Sequence, residues 1–210
     1  MGEIPAWLIE AEKHLRKTDP IITAVIDRAG PCSLRPREHH FATLAGSIIS
    51  QQISVKAADA IEGRLLKALG SGGMTAEGIA ALGDEAIRAA GISPQKLKYL
   101  RDLSGKVLDG TVHLAQISQL PDEEIIRELI KVKGIGLWTV QMFLIFSLNR
   151  TDVFPYDDLG VRNGIRNLYG YKSMPARRTA ERIAAKWAPY RSVGSWYCWR
   201  SLEFAKAAIA

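Results

Sequence analysis

Two adjacent carboxylates, Asp157 and Asp158, follow the segment D-V-F-P-Y and stand where the residue pattern predicts the start of a helix. A carboxylate at that position accepts hydrogen bonds from the first backbone N–H groups of the helix, which contributes about 1 kcal/mol. The same group can stabilise a positive charge that develops on a substrate, or orient a water molecule. From position alone, helix capping is the commoner role for both aspartates.

A Gly-x-Gly turn, formed by Gly134 and Gly136, lies upstream between two apolar segments whose spacing and length predict helices. Glycine visits positive φ without steric cost, so turn geometry alone explains such a motif. A glycine turn that leads into a helix N-terminus also presents N–H groups that bind phosphate, and Lys131 and Lys133 add positive charge beside it. The sequence predicts a helical hairpin here and leaves both explanations of the glycines open.

Composition restricts the class of protein. The chain has 210 residues, 47% of them hydrophobic, and a net charge of +6 with a pI near 9.4, which favours a polyanionic partner only mildly. Two cysteines, Cys32 and Cys198, are too few for an iron–sulfur cluster or a four-thiolate zinc site, so we expect neither. No basic-then-apolar signal opens the chain and no apolar run is long enough to span a membrane.

The elements that must position these residues are predicted to be helices throughout. Asp19-Pro20 and Ser93-Pro94 are helix starts with a capping side chain followed by proline, and Thr75 or Asp84 caps further short helices. We find no strand alternation and no repeat of 20 to 50 residues. The prediction is an all-α fold.

The hairpin K-G-I-G-L-W-T followed by D-V-F-P-Y-D-D resembles the helix-hairpin-helix DNA glycosylases, and most closely the 3-methyladenine DNA glycosylases of the second type. I-I-S-Q-Q-I-S at residues 48–54 and G-I-S-P-Q-K at residues 91–96 extend the resemblance over most of the chain. It implies two helical lobes with a cleft between them. The terminal lobe comprises residues 1–37 and 151–210. The central lobe comprises 38–150 and carries the hairpin at about 122–148, without an N-terminal β domain.

The resemblance also assigns roles in the site. It makes Asp158 the catalytic aspartate, which stabilises the positive charge that develops on the sugar as the N-glycosidic bond breaks. Trp138 stands where relatives that nick the strand carry a lysine that forms a Schiff base, so we expect no lyase activity. The resemblance instead makes Trp138 a wall of the base pocket, where it stacks on the flipped base. Trp199 and Tyr156 are further pocket residues, although Tyr156 could equally pack against its lobe and Trp138 could instead be core.

The DNA contacts implied by the resemblance lie in the central lobe. Gln52 is the expected wedge, the residue that fills the gap left by the flipped nucleotide, whereas Gln51 is expected to be structural. A monovalent cation, Na⁺ or K⁺, is expected on the backbone carbonyls of Ile130, Val132 and Ile135, with no other cofactor required. The remaining residues expected to contact DNA are Lys131, Lys133, Gly134, Gly136 and Thr139.

The predicted function is therefore a monofunctional glycosylase that flips and excises alkylated bases from double-stranded DNA in base excision repair. We expect a monomer without membrane association, in the cytoplasm near the nucleoid, or in the nucleus of a eukaryote. The alternatives are a non-catalytic DNA-binding module, a glycosylase for another damaged base, and an all-α scaffold protein.

Overall fold

The computed structural model describes residues 4–207, with side chains as far as Phe204. Residues 4–207 contain no β-strand, so the predicted all-α fold is confirmed. Short 3₁₀ turns occupy Gly70–Gly72, Leu114–Gln119 and Ala185–Trp187. The α-helices of the described chain are α1 Ala6–Thr18, α2 Pro20–Ala29, α3 His40–Ser50, α4 Val55–Leu69, α5 Ala76–Ala81, α6 Asp84–Ala89, α7 Pro94–Leu108, α8 Asp122–Leu129, α9 Leu137–Phe146, α10 Leu159–Leu168, α11 Arg177–Ala184 and α12 Arg191–Ala207.

The predicted helix starts agree with the observed caps at three positions. The side chains of Asp19, Thr75 and Ser93 accept hydrogen bonds from backbone N–H groups in the first turns of α2, α5 and α7. Asp84 differs, because it is the first residue of α6 and Gly83 occupies the N-cap position. An acidic residue in the first turn still favours that helix through its macrodipole.

The chain divides into two compact units. Among the described residues, the terminal unit comprises 4–36 and 144–207, and the central unit comprises 37–143. The second boundary falls inside α9, between Phe143 and Leu144, whereas the sequence places it after residue 150. Residues 1–3 and 208–210 of the predicted terminal lobe lie outside the described residues.

A buried carboxylate organises the terminal unit. Asp19 is 1% exposed and caps α2 through hydrogen bonds from Ile21 N and Ile22 N. Its second oxygen accepts hydrogen bonds from the hydroxyl of Tyr169 and, at 3.0 Å, from the indole N–H of Trp187. Burial, and next the contact with Asp19, raises the pKa of the Tyr169 hydroxyl, so this group donates a proton to the bond at neutral pH. The end of α10 is thereby tied to the start of α2.

The helices α10 and α12 of the terminal unit pack in close contact. A Cβ atom at Gly164 would lie 2.7 Å from both the Cβ and the carbonyl oxygen of Cys198, so only glycine permits this approach. Cys198 is fully buried and its pKa is raised, chiefly by desolvation. Burial likewise raises the pKa of Cys32 to about 12. Both thiols are protonated at neutral pH, and metals bind the thiolate form.

The long helix α7 supports much of the central unit. The Ser104 hydroxyl donates to Ala76 O at 2.6 Å, and the Arg101 guanidinium donates to carbonyl groups at the end of α5, which fixes α5 against α7. Within residues 4–207, none of the helices combines the length and apolarity needed to cross a membrane.

Candidate functional site

Asp158 is both the cap of α10 and the acceptor of a long-range hydrogen bond. Its Oδ1 atom accepts from Val161 N at 2.8 Å and from the indole Nε1 of Trp199 at 2.7 Å. A Cβ atom at Gly160 would lie 2.6 Å from Trp199 Cδ1, so the missing side chain at that position allows the indole to approach. Two donors therefore fix the rotamer of the carboxylate before any substrate binds.

Trp199, predicted as a further residue of the base pocket, lies beside Asp158 in the terminal unit. It is half-buried, and its ring centroid lies 5.3 Å from that of Phe146 at an interplanar angle of 32°. The hydrogen bond from its N–H group to Asp158 was not predicted from the sequence. The two residues are 41 positions apart, and no spacing motif links them.

Tyr156, the third predicted pocket aromatic, contacts two arginines. The guanidinium carbons of Arg162 and Arg177 lie 5.3 and 5.1 Å from the centroid of its ring. Its hydroxyl is 3.5 Å from Pro175 O. A base would have to stack on a ring that already has these cation–π neighbours, so its predicted pocket role stays a prediction. Neither arginine was predicted from the sequence as part of the site, although Arg162 follows Asp158 by one helical turn.

The two glycines of the hairpin turn have different surroundings. Gly134 has φ +83°, and a Cβ atom there would lie 2.2 Å from Cδ2 of Tyr99. A Cβ atom at Gly136 would meet nothing within 4 Å. Gly134 is therefore required by the turn itself, whereas Gly136 leaves open space in front of the backbone at the start of α9.

The first turn of α9 exposes one aromatic and buries a neighbouring threonine. Trp138 is 42% exposed, which excludes the core role considered for it within the central unit. Thr139 is 3% exposed, and its predicted contact with DNA stays a prediction. The first N–H groups of a helix have no intrahelical acceptor, so this end of α9 can offer backbone donors to an anion.

The predicted basic residues of the turn are exposed, and one of them is paired. Lys133 N donates to Asp102 Oδ2 at 2.8 Å, and its ammonium group lies 3.8 Å from Oδ1 of the same carboxylate. Lys106 Nζ also donates to Asp102, at 2.7 Å. Desolvation opposes ionisation of Asp102, but these hydrogen bonds outweigh it and lower the pKa of the carboxyl group. Asp102 thus anchors the turn to α7, while Lys131 is exposed.

The carbonyl groups predicted to bind a monovalent cation lie in the segment between α8 and α9. Val132 O accepts a hydrogen bond from Ile135 N at 3.1 Å, which closes the turn. Carbonyl oxygens are hard ligands suited to Na⁺ or K⁺, and the carbonyl groups that end a helix have no intrahelical donors. The chemistry of Ile130, Val132 and Ile135 fits such an ion, and the cation remains a prediction.

The predicted wedge lies at the tip of the loop between α3 and α4. Gln52 is exposed and has φ +59°, an uncommon backbone conformation for a residue other than glycine. The preceding residue, Gln51, donates its amide N–H to Gly134 O at 2.8 Å. That bond agrees with the structural role expected for Gln51, and it ties the loop to the hairpin turn.

Three comparisons with known proteins identify the family. A model described as "HhH-GPD superfamily base excision DNA repair protein" matches residues 45–190. DNA-3-methyladenine glycosylase 1 of Schizosaccharomyces pombe is 34% identical over 209 residues, 97% of this chain and 91% of that protein. The solved structure of a 3-methyladenine DNA glycosylase from the same yeast in complex with abasic DNA has a TM-score of 0.81 at 34% identity, covering 92% of this chain and 97% of that one.

A DNA-3-methyladenine glycosidase from Bacillus halodurans gives a TM-score of 0.80 at 33% identity, covering 91% of this chain and 88% of that one. The family model spans more than half of the chain, and the yeast relative is aligned along nearly all of it. The chain therefore belongs to the HhH-GPD superfamily of base excision DNA repair proteins.

Proposed function

We propose that this protein is a monofunctional DNA glycosylase that excises alkylated purines, of the 3-methyladenine and 7-methylguanine class, from duplex DNA. The observation that carries the proposal is the Asp158 carboxylate, held by the Val161 N–H and the Trp199 indole. The relatives that match nearly the whole chain are named for this activity. Fold similarity to glycosylases alone would not select a lesion class.

The chemistry follows from the charge of the substrate. An alkylated purine is cationic, so it leaves with the electrons of the N-glycosidic bond and becomes neutral, and positive charge passes to the sugar. The anionic Asp158 stabilises that charge or orients the water molecule that adds to C1′. The proton lost from this water passes to solvent, and the products are the free base and an abasic site.

The central unit supplies groups suited to bind and flip the nucleotide. The exposed ring of Trp138 offers a face for an electron-poor base, and Gln52 projects from its loop as a wedge. The N–H groups at the start of α9, with Lys131 and Lys133, suit a phosphate of the strand. We propose that the protein acts as a monomer, in whichever compartment holds the DNA. Trp138 carries no amine, so no Schiff base forms at that position and the strand is not nicked.

Base release from a panel of modified duplexes tests the proposed function. We expect the protein to release free 3-methyladenine or 7-methylguanine and to leave an abasic strand that breaks only after alkali treatment. Binding without release of any base would support the non-catalytic DNA-binding module instead. Release of only oxidised or deaminated bases would support the alternative lesion class, and the absence of salt-dependent DNA binding would support a scaffold protein.

Substitution of Trp199 by phenylalanine tests the hydrogen bond to the catalytic carboxylate. Phenylalanine retains a ring beside Phe146 but has no N–H group for Asp158. We expect single-turnover base release to slow by about 10- to 150-fold, since a hydrogen bond to a charged group is worth about 1.5–3 kcal/mol. Affinity for DNA that contains an abasic analogue should change little. Wild-type release rates in this variant would show that the indole does not position Asp158, and a thermal melt would detect any loss of fold.

A further inference from the structure

The loop between α3 and α4, residues 51–54, is held by side chains from two other segments of the central unit. Lys96 Nζ donates to Ile49 O at 2.7 Å, at the end of α3. Gln51 Nε2 donates to Gly134 O at 2.8 Å, in the hairpin turn 83 positions away. Both hydrogen bonds lie immediately before the exposed Gln52.

The backbone at Gln52 requires such support. A left-handed φ in a residue other than glycine persists only where the surrounding structure imposes it. On the far side of the tip, Ser54 caps α4 by accepting from Ala57 N at 3.3 Å. The direction of Gln52 is therefore fixed from both sides before DNA is present.

One face of α7 supports both the loop and the turn. Lys96, Tyr99 and Asp102 follow one another at three-residue spacing, so they share one side of the helix. Lys96 bonds the end of α3, Tyr99 packs against Gly134, and Asp102 accepts a hydrogen bond from Lys133 N. Gln51 adds a direct bond between the two supported segments, so loop and turn are connected twice.

We propose that Gln51 is a positioning residue that fixes where Gln52 enters the duplex relative to the strand held at the hairpin turn. The inference rests on the roles given to Gln52 and the turn in the proposed function. A loop that is already ordered binds DNA without a further entropic cost of ordering. Its position also matters, because a misplacement of reacting groups by about 1 Å can slow a reaction by about a hundred-fold. Insertion of the wedge and binding of the strand are thus coupled through one side-chain amide.

Gln51→Met tests the coupling without needing catalysis. Methionine keeps the length of the side chain and removes the donor, and the exposed Gly134 carbonyl can accept from water instead. The probe is a duplex with a tetrahydrofuran abasic analogue opposite 2-aminopurine, whose fluorescence reports filling of the gap. We expect wild-type protein to change the fluorescence on saturation, and Gln51→Met to lose most of that change while its Kd stays within about three-fold, since no phosphate contact is removed.

Base release distinguishes positioning from a general loss of structure. With 7-methylguanine paired to cytosine, Gln51→Met should slow single-turnover release by about ten-fold. With the same lesion opposite a mismatched thymine the loss should be smaller, because a mispaired base costs less to flip. Lys96→Met should behave similarly, whereas Lys98→Met removes the same charge from an exposed neighbour and should match wild type.

Two results would overturn the inference: a wild-type fluorescence change in Gln51→Met, or an equal loss of release on both duplexes. The proposed function fails separately. If the wild-type protein released no base while Gln51→Met still lost the fluorescence change, the coupling would stand and the catalytic assignment would be wrong.

Discussion

Asp158→Asn is expected to reduce the rate of base release by about 10²–10³-fold, the loss typical when one electrostatic contribution to a transition state is removed. Asparagine caps helices as well as aspartate does. Its side-chain oxygen can still accept from Val161 N and from the Trp199 indole, so the fold and the orientation of the group are retained. Only the negative charge that stabilises the developing cation is lost. Single-turnover release of 7-methylguanine measures the effect.

Asp157→Asn is the matched control for this substitution. Asp157 precedes the cap and is exposed, and its substitution removes the same charge from the same loop. Any effect of net charge on DNA affinity should therefore appear in both variants, while the loss of release should appear only in Asp158→Asn. Release at the wild-type rate by Asp158→Asn would remove the catalytic role from this residue, and an equal loss in both variants would assign the effect to the loop as a whole.

Local signals predicted the helices well, because helix starts depend on residues close together in the chain. Asp19, Ser93 and Asp158 were recognisable as caps from their position before an apolar run, and each accepts the expected backbone hydrogen bond. The boundary between the units was not recognisable. It falls inside α9, within the apolar run Met142 to Phe146, where no Gly, Pro or charged residue marks the change.

The site was predicted as a set of residues rather than as a set of contacts. Asp158 and Trp199 were both selected, yet nothing in the sequence shows a hydrogen bond across 41 positions. The cation–π contacts of Tyr156 and the burial of Thr139 were missed for the same reason, since both depend on packing between elements. The sequence did not distinguish turn geometry from phosphate binding at the Gly-x-Gly motif, because both explanations require the same two glycines.

Gly134→Ala is expected to destabilise the protein by about 2–5 kcal/mol. A left-handed φ costs an ordinary residue about 1–2 kcal/mol, and overpacking adds about 1–3 kcal/mol. The added Cβ would lie 2.2 Å from a ring carbon of Tyr99, so α7 or the turn must move. The hydrogen bond from Gln51 to Gly134 O should weaken with that movement. Chemical denaturation measures the loss, and DNA affinity should fall together with stability.

Gly136→Ala tests whether the second glycine is required for the geometry of the turn or for close approach of the DNA backbone. The added Cβ at Gly136 meets no protein atom within 4 Å, so the free energy of unfolding should stay near the wild-type value. If a phosphate binds the N–H groups in front of this position, the methyl group should displace it, and affinity for DNA should weaken by about 1.5–3 kcal/mol, the value of a hydrogen bond to a charged group. Equal destabilisation by the two alanines would contradict the expected difference between the crowded Gly134 and the open Gly136. Unchanged affinity in Gly136→Ala would show that the strand does not approach the backbone at this position, because the added methyl group would then displace no phosphate.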